Sequence, residues 1–127
     1  RLSELGGVFV SGGNTFILRQ AMKLSGLDNI LMNNEVSKNF VYAGYSAAGC
    51  VLSPTLKSYS IVDDAPDLPY AEQRETIWEG LGLIDFAFLP HFDSIHPESG
   101  GIQKEVAYCD DHGILYKTLR DGEVIVI

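Results

Sequence analysis

Strand-like and helix-like segments alternate along this chain, and that alternation narrows the possible folds more than any other feature. The apolar run "GVFV" at residues 7–10 ends in the loop "SGGNT". Residues 15–24 then carry Phe16, Ile17, Leu18, Ala21, Met22 and Leu24 at helical spacing, with Gly26 placed to cap the C-terminus. A second short helix is expected over residues 29–39, a strand over 40–43, and a helix from Ser46 that Pro54 cuts short. Residues 57–67 read as an extended strand followed by a loop, 86–89 as a strand ending at Pro90, and 102–111 as a helix ended by Gly113. Residues 114–119 and 123–127 read as two strands joined at Asp121-Gly122, a hairpin signal. Strands that alternate with helices pair in parallel, because each helix carries the chain back along the sheet. The expected fold class is therefore α/β with a parallel sheet. The first strand lacks a preceding strand–helix unit and the last is uncovered, so residues 1–127 read as one domain cut from a larger sheet domain.

Composition excludes several function classes. The 127 residues are 46% hydrophobic and 20% charged, ordinary for one soluble domain. A formal net charge of −8 argues against a nucleic-acid partner, which would normally meet a basic face. No apolar run approaches the roughly 18 residues of a membrane span, and no signal peptide is visible at the start, so no membrane partner is expected. Cys50 and Cys109 are too few for a disulfide framework and read as reduced thiols of a cytoplasmic protein.

The chemistry centres on "FVYAGYSAAGCVLSP", residues 40–54. Gly44-Tyr45-Ser46-Ala47-Ala48 fits a strand–nucleophile–helix bend, which needs small residues on both sides of the serine because strand and helix nearly touch. The plainer alternative is a small-residue turn with an N-capping serine. A serine nucleophile needs a base, and His91, His96 and His112 are available. His91 follows a strand and Pro90, so it belongs at the C-terminal edge of the sheet, the edge Ser46 shares. His112 beside Gly113 marks a helix end. The acid that would orient the imidazole is open among Asp63, Asp64, Asp93 and Glu123. The Gly-Gly pair of "SGGNT" can present backbone N–H groups to an oxyanion, or can simply be a turn before Asn14 or Thr15 as N-cap. His91, Asp93 and His96 with Asp63 or Asp64 also make an N and O donor set for a divalent ion, but the spacing matches no short zinc motif. No metal or other cofactor is expected.

Together, "GGNTFILRQAMKLSGL", "YAGYSAAGCVLSPT", "IVDD" and "LGLIDFAFLPHFDS" resemble the peptidase E family of serine exopeptidases, which includes aspartyl dipeptidases and cyanophycinases. The resemblance runs from about Gly6 to the C-terminus. It implies a parallel-sheet, three-layer sandwich like that of class I glutamine amidotransferases, here apparently truncated at both ends. It implies Ser46 as nucleophile, His91 as general base, and an acid in the "DD" pair, Asp64 slightly ahead of Asp63. Backbone N–H groups of Gly12 or Gly13 and of Ala47 would form the oxyanion hole. Asn14, Tyr45 and Lys104 are the substrate-binding candidates. The family's usual Ser-Ala-Gly is Ser46-Ala47-Ala48-Gly49 here, and Ser11 stands in its commoner triple glycine. The implied function is serine-dependent hydrolysis of a small peptide by a dipeptidase-like enzyme, with a homodimer as the assembly to consider. The alternative is an inactive binding protein, or another amide hydrolase, on the same scaffold.

Overall fold

The computed structural model describes residues 1–127, apart from the Ser3 side chain. After a 3-10 turn at Leu2–Glu4, the order is β1 (Gly7–Val10), α1 (Thr15–Ser25), α2 (Leu27–Met32), β2 (Val41–Gly44), α3 (Ala47–Cys50), a 3-10 helix (Lys57–Ile61), β3 (Ala87–Leu89), α4 (Ser99–His112) and β4 (Tyr116–Thr118). β1 and β2 pair in parallel, with Val10 opposite Gly44. β3 and β4 also pair in parallel, with Leu89 opposite Thr118. The α/β class with parallel strands therefore holds, but the strands form two separate two-stranded sheets.

Local chemistry sets the element ends. Asn14 caps α1, its Oδ1 accepting the Phe16 and Ile17 N–H groups at 2.9 and 3.1 Å. Gly26, at φ 79°, closes α1 in the left-handed conformation that glycine adopts without a Cβ clash. Arg19 of α1 donates to the buried Asp28 carboxylate of α2 at 2.9 Å, locking the two helices together. α2 is shorter than the expected 29–39 because Asn34 turns left-handed (φ 55°), letting the Asn34 and Glu35 N–H groups reach back to the Leu31 and Ile30 carbonyls.

Two apolar clusters meet at α3. Phe16, Leu56, Tyr59, Leu89 and Ile102 form one with Cys50, while Met22, Leu31 and Leu81 form the other with Val51. Each fully buried side chain of this size contributes about 1.5–3 kcal/mol. Consecutive residues Cys50 and Val51 thus belong to different clusters. A Cβ on Gly49 would overlap the Phe88 ring, so only glycine lets α3 press this closely on β3.

Two expected strands do not form. Residues 57–61 wind into the 3-10 helix, since Leu56 and Tyr59, three apart, both bury on the same side. The Tyr59 hydroxyl is then held by Ser53 Oγ at 2.8 Å and by the Phe88 carbonyl at 2.9 Å. Residues 123–127 make no strand, and Val124, Val126 and Ile127 are exposed. The bend at Asp121-Gly122 exists, but it is closed locally: Glu123 N–H donates to the Arg120 carbonyl, and Arg120 N–H to the Glu123 carboxylate. β4 makes its ladder with β3 instead of with a hairpin partner.

Candidate active site

Ser46 stands between β2 and α3 with φ 53° and ψ −119°. A side chain at positive φ is strained, and such residues gather at functional sites. The crossing is tight: a Cβ on Gly44 would lie 2.5 Å from the Val10 carbonyl oxygen and 2.5 Å from the Ala48 Cβ. The bare Gly44 makes room for the Ala48 methyl, which is fully buried. The alanine in place of the family's glycine is therefore absorbed by its neighbour. Tyr42 reaches under the bend and donates its hydroxyl to the Ala48 carbonyl at 2.8 Å. Burial pushes that phenol well up, so it remains a donor.

His91 follows β3 and is also left-handed (φ 63°), as is Asp93 (φ 45°). Its Nε2 lies 3.2 Å from Ser46 Oγ, and its Nδ1 lies 2.6 Å from Asp121 Oδ1. With Nδ1–H donating to the Asp121 carboxylate, the Nε2 lone pair faces the serine hydroxyl. That line can carry a proton from serine to imidazole.

The carboxylate that is hydrogen-bonded to His91 is not one of the expected "DD" pair. The Asp63 carboxylate accepts the Thr15 N–H at 2.8 Å, and Asp64 offers its backbone carbonyl to Asn14 Nδ2 at 3.2 Å. Neither is hydrogen-bonded to His91. Asp121 is, because β3 and β4 run side by side and the residues just beyond their C-terminal ends emerge together. Phe92 N–H donates to the Leu119 carbonyl, and Asp121 N–H donates to Ser94 Oγ at 2.8 Å, which latches the two loops. In sequence, Asp121-Gly122 carries a turn signal strong enough to hide this second role; the clue was parallel pairing of the strands before His91 and before Asp121. Asp93 is drawn off to Arg120 at 2.8 Å, and Glu123 closes its own turn.

Gly12, Gly13, Asn14, Tyr45, Ser46, Asp63, His91, His96 and Glu98 line an open cleft of about 310 Å³. A larger depression of about 430 Å³, bordered by Pro54, Asp85, Phe86 and Ile127, has no serine, cysteine or histidine in its wall, so the chemistry points to the smaller cleft. The Tyr45 ring packs over Gly12, where a Cβ would come within 2.9 Å of it. Among the described residues, the N–H groups of Gly12, Gly13 and Ala47 donate to no protein acceptor; Gly12 and Gly13 line the cleft, and Ala47 is buried beside Ser46. Asn14 borders the cleft, but its Oδ1 is spent on the α1 cap. Lys104, exposed on α4, does not line it. Cys50 is buried with its thiol on the Phe88 carbonyl at 3.5 Å, and burial pushes it up, away from thiolate chemistry.

His91, His96 and Glu98 offer ligand atoms within 4.8 Å of one another. The two rings, however, stack face to face at 3.7 Å and 8°. An ion bound in the plane of one ring at about 2.0–2.1 Å cannot also lie in the plane of a parallel ring. His96 Nδ1 moreover accepts the Glu98 N–H at 3.2 Å. This arrangement does not fit a metal. His112 stacks on Tyr108 at the end of α4 and does not line the cleft.

The sequence matches the family model of peptidase family S51 over residues 1–127. The chain belongs to peptidase family S51. An uncharacterized peptidase of Listeria innocua is 33% identical to this S51 chain over 88 residues, 69% of this chain and 40% of that protein. Peptidase E of Streptomyces coelicolor is 34% identical over 104 residues, 82% of this chain and 38% of that protein. A probable alpha-aspartyl dipeptidase of Drosophila melanogaster is 28% identical, covering 95% of this chain and 49% of that protein. A crystal structure of a "Putative Peptidase E Protein" from Listeria monocytogenes superposes with a TM-score of 0.70 at 26% identity, covering 98% of this chain and 60% of that one. The S51 chain thus spans about two fifths of the length of the first curated relatives. Its peptidase E resemblance holds across the whole sequence. Among the described residues, no helix is long and apolar enough to cross a membrane.

Proposed function

We propose that the protein is a serine-type hydrolase of short peptides, with Ser46 as nucleophile, His91 as general base and Asp121 as the carboxylate that orients the imidazole. The observation that carries this reading is the unbroken hydrogen-bond line from Ser46 Oγ through His91 to Asp121, set on a serine held at φ 53°. His91 Nε2 takes the hydroxyl proton as Ser46 Oγ bonds to the scissile carbonyl carbon. The carbonyl electron pair moves onto oxygen, where the N–H groups of Ala47 and of the Gly12-Gly13 loop donate to it. Collapse breaks the C–N bond, and the imidazolium gives its proton to the leaving amine. Water, deprotonated by the same histidine, then releases the acyl group. A positioned base of this kind typically contributes about 10²–10⁴-fold. The peptidase E and dipeptidase names of relatives support a short peptide as substrate.

The test is a dipeptide panel together with a fluorophosphonate serine probe. The intact protein should turn over a dipeptide and take up the probe at Ser46. Ser46→Ala should do neither, while its circular dichroism is unchanged. Full activity in Ser46→Ala, or probe on Cys50, would overturn the assignment.

A further inference from the structure

The stack that argues against a metal at His96 has a use of its own. His91 is held at its edges, Nδ1 by Asp121 at 2.6 Å and Nε2 by Ser46 at 3.2 Å. Two contacts at the edge leave the ring free to tilt about the line that joins them. The histidine torsion nearest the ring is broad, so the residue does not fix its own plane. A third contact, on a face, is needed. The His96 ring supplies it, lying flat on His91 with centroids 3.7 Å apart and planes 8° from parallel. The His91 side chain is 16% exposed although it borders an open cleft.

His96 is itself tied down by the turn that carries it back over His91. Its N–H donates to the Ser94 carbonyl at 2.9 Å, and its carbonyl accepts the Ser99 N–H at 3.1 Å. The Ser94 N–H donates to Ser99 Oγ at 3.2 Å, closing the turn onto the start of α4. The His96 ring accepts the Glu98 N–H at Nδ1, 3.2 Å away, which puts the proton of the neutral ring on Nε2. Ser94 Oγ in turn accepts the Asp121 N–H at 2.8 Å. One turn therefore braces the carboxylate at the edge of His91 and covers the ring on its face.

We propose that His96 is a positioning residue: its ring fixes the plane of His91, so that Nε2 stays aimed at Ser46 Oγ while Nδ1 stays on Asp121. This inference rests on the reading of Ser46, His91 and Asp121 as the reacting groups. Such groups must be held within about 10–20° of their productive direction, and a freely tilting ring is not. The role asks residue 96 for a flat ring in this place. Its nitrogens serve the turn instead, since the hydrogen bond they make is to the Glu98 N–H and not to Ser46, His91 or Asp121.

Two readouts test it, one of them independent of turnover. NMR of the intact protein follows the His91 Nδ1–H, whose exchange with water is slow while the ring is held on Asp121. The rate of fluorophosphonate labelling follows reactivity at Ser46. His96→Ala should speed the exchange and slow the labelling, each by about tenfold or more, since a misplacement of ~1 Å can cost about 10²-fold. His96→Phe, which keeps a flat ring and loses both nitrogens, should restore most of both. His96→Asn, which keeps an acceptor for the Glu98 N–H and loses the ring, should behave as alanine does. Circular dichroism and urea midpoints check that all three variants fold. Exchange and labelling unmoved in His96→Ala, or rescue by asparagine and not by phenylalanine, would overturn the proposal. If the unaltered protein takes no probe while the exchange still follows the ring at residue 96, the positioning role stands and the hydrolase reading falls.

Discussion

Replacing Ser46 by glycine should make the protein more stable while removing its chemistry. Ser46 sits at φ 53° and ψ −119°. Those angles are the mirror image of the extended region near −53°, +119°, which achiral glycine occupies as readily as its opposite hand. A Cβ there costs about 1–3 kcal/mol. Glycine gives back about 0.5–1 kcal/mol through the extra freedom of the unfolded chain. The difference favours glycine by about 1 kcal/mol, or about 4 °C in Tm for a chain of this size. Alanine is the reference, because Ser46→Ala and Ser46→Gly both lose the 3.2 Å contact to His91, and only glycine releases the backbone. Urea or thermal unfolding of the two variants side by side measures the term. If Ser46→Ala proves as stable as Ser46→Gly or more so, the bend stores no strain and the argument from its geometry fails.

Three other outcomes follow from the same contacts. Asp121→Asn should lower kcat by about 10²–10⁴-fold, since an amide on Nδ1 neither fixes the tautomer nor balances the imidazolium, and should cost far more than Asp64→Asn; steady-state kinetics compares them. Gly44→Ala should destabilise by about 1–3 kcal/mol, because the new methyl group meets the Val10 carbonyl and Ala48 at 2.5 Å each, and chemical denaturation reads the loss. Glu105, with its pKa raised to about 8, keeps its proton when folded and loses it when unfolded above about 4.5. The unfolded state then binds fewer protons, so stability should fall as pH rises from about 4.5 to 8 and level off beyond. Glu105→Gln should remove that slope, seen as urea midpoints that stop declining across the window.

Much of this was legible in the sequence because local signals and tertiary demands agree. Asn14 and Gly26 bracket α1 by chemistry that acts within one turn, and Gly113 does the same for α4. The small residues around Ser46 announced the bend, and Pro90 announced the end of the strand before His91. The carboxylate bonded to His91 was not legible, since it depends on which strands are neighbours, a long-range fact. Asp121 carries the local mark of a turn and no mark of catalysis. Tyr59 illustrates the opposite failure: its β-like neighbourhood was overridden by a buried contact to Ser53 and Phe88 that only a 3-10 turn provides. Lys104 was a plausible cation by composition, but a helix face decides where a side chain points.

The two sheets share no strand, and the proposed reacting pair is divided between them. Ser46 ends the first, while His91 and its carboxylate leave the second. The seam is packed through α3, where Gly49 admits the Phe88 ring. One apolar cluster runs under both sheets, joining Phe16 and Cys50 to Ala87 and Leu89, so the contact between Ser46 and His91 depends on the packing between the sheets. The 3.2 Å contact between Ser46 Oγ and His91 Nε2 is therefore a gauge of how well the two sheets are packed on each other. Mild denaturant that loosens the seam would silence the chemistry while most helix and strand content persists.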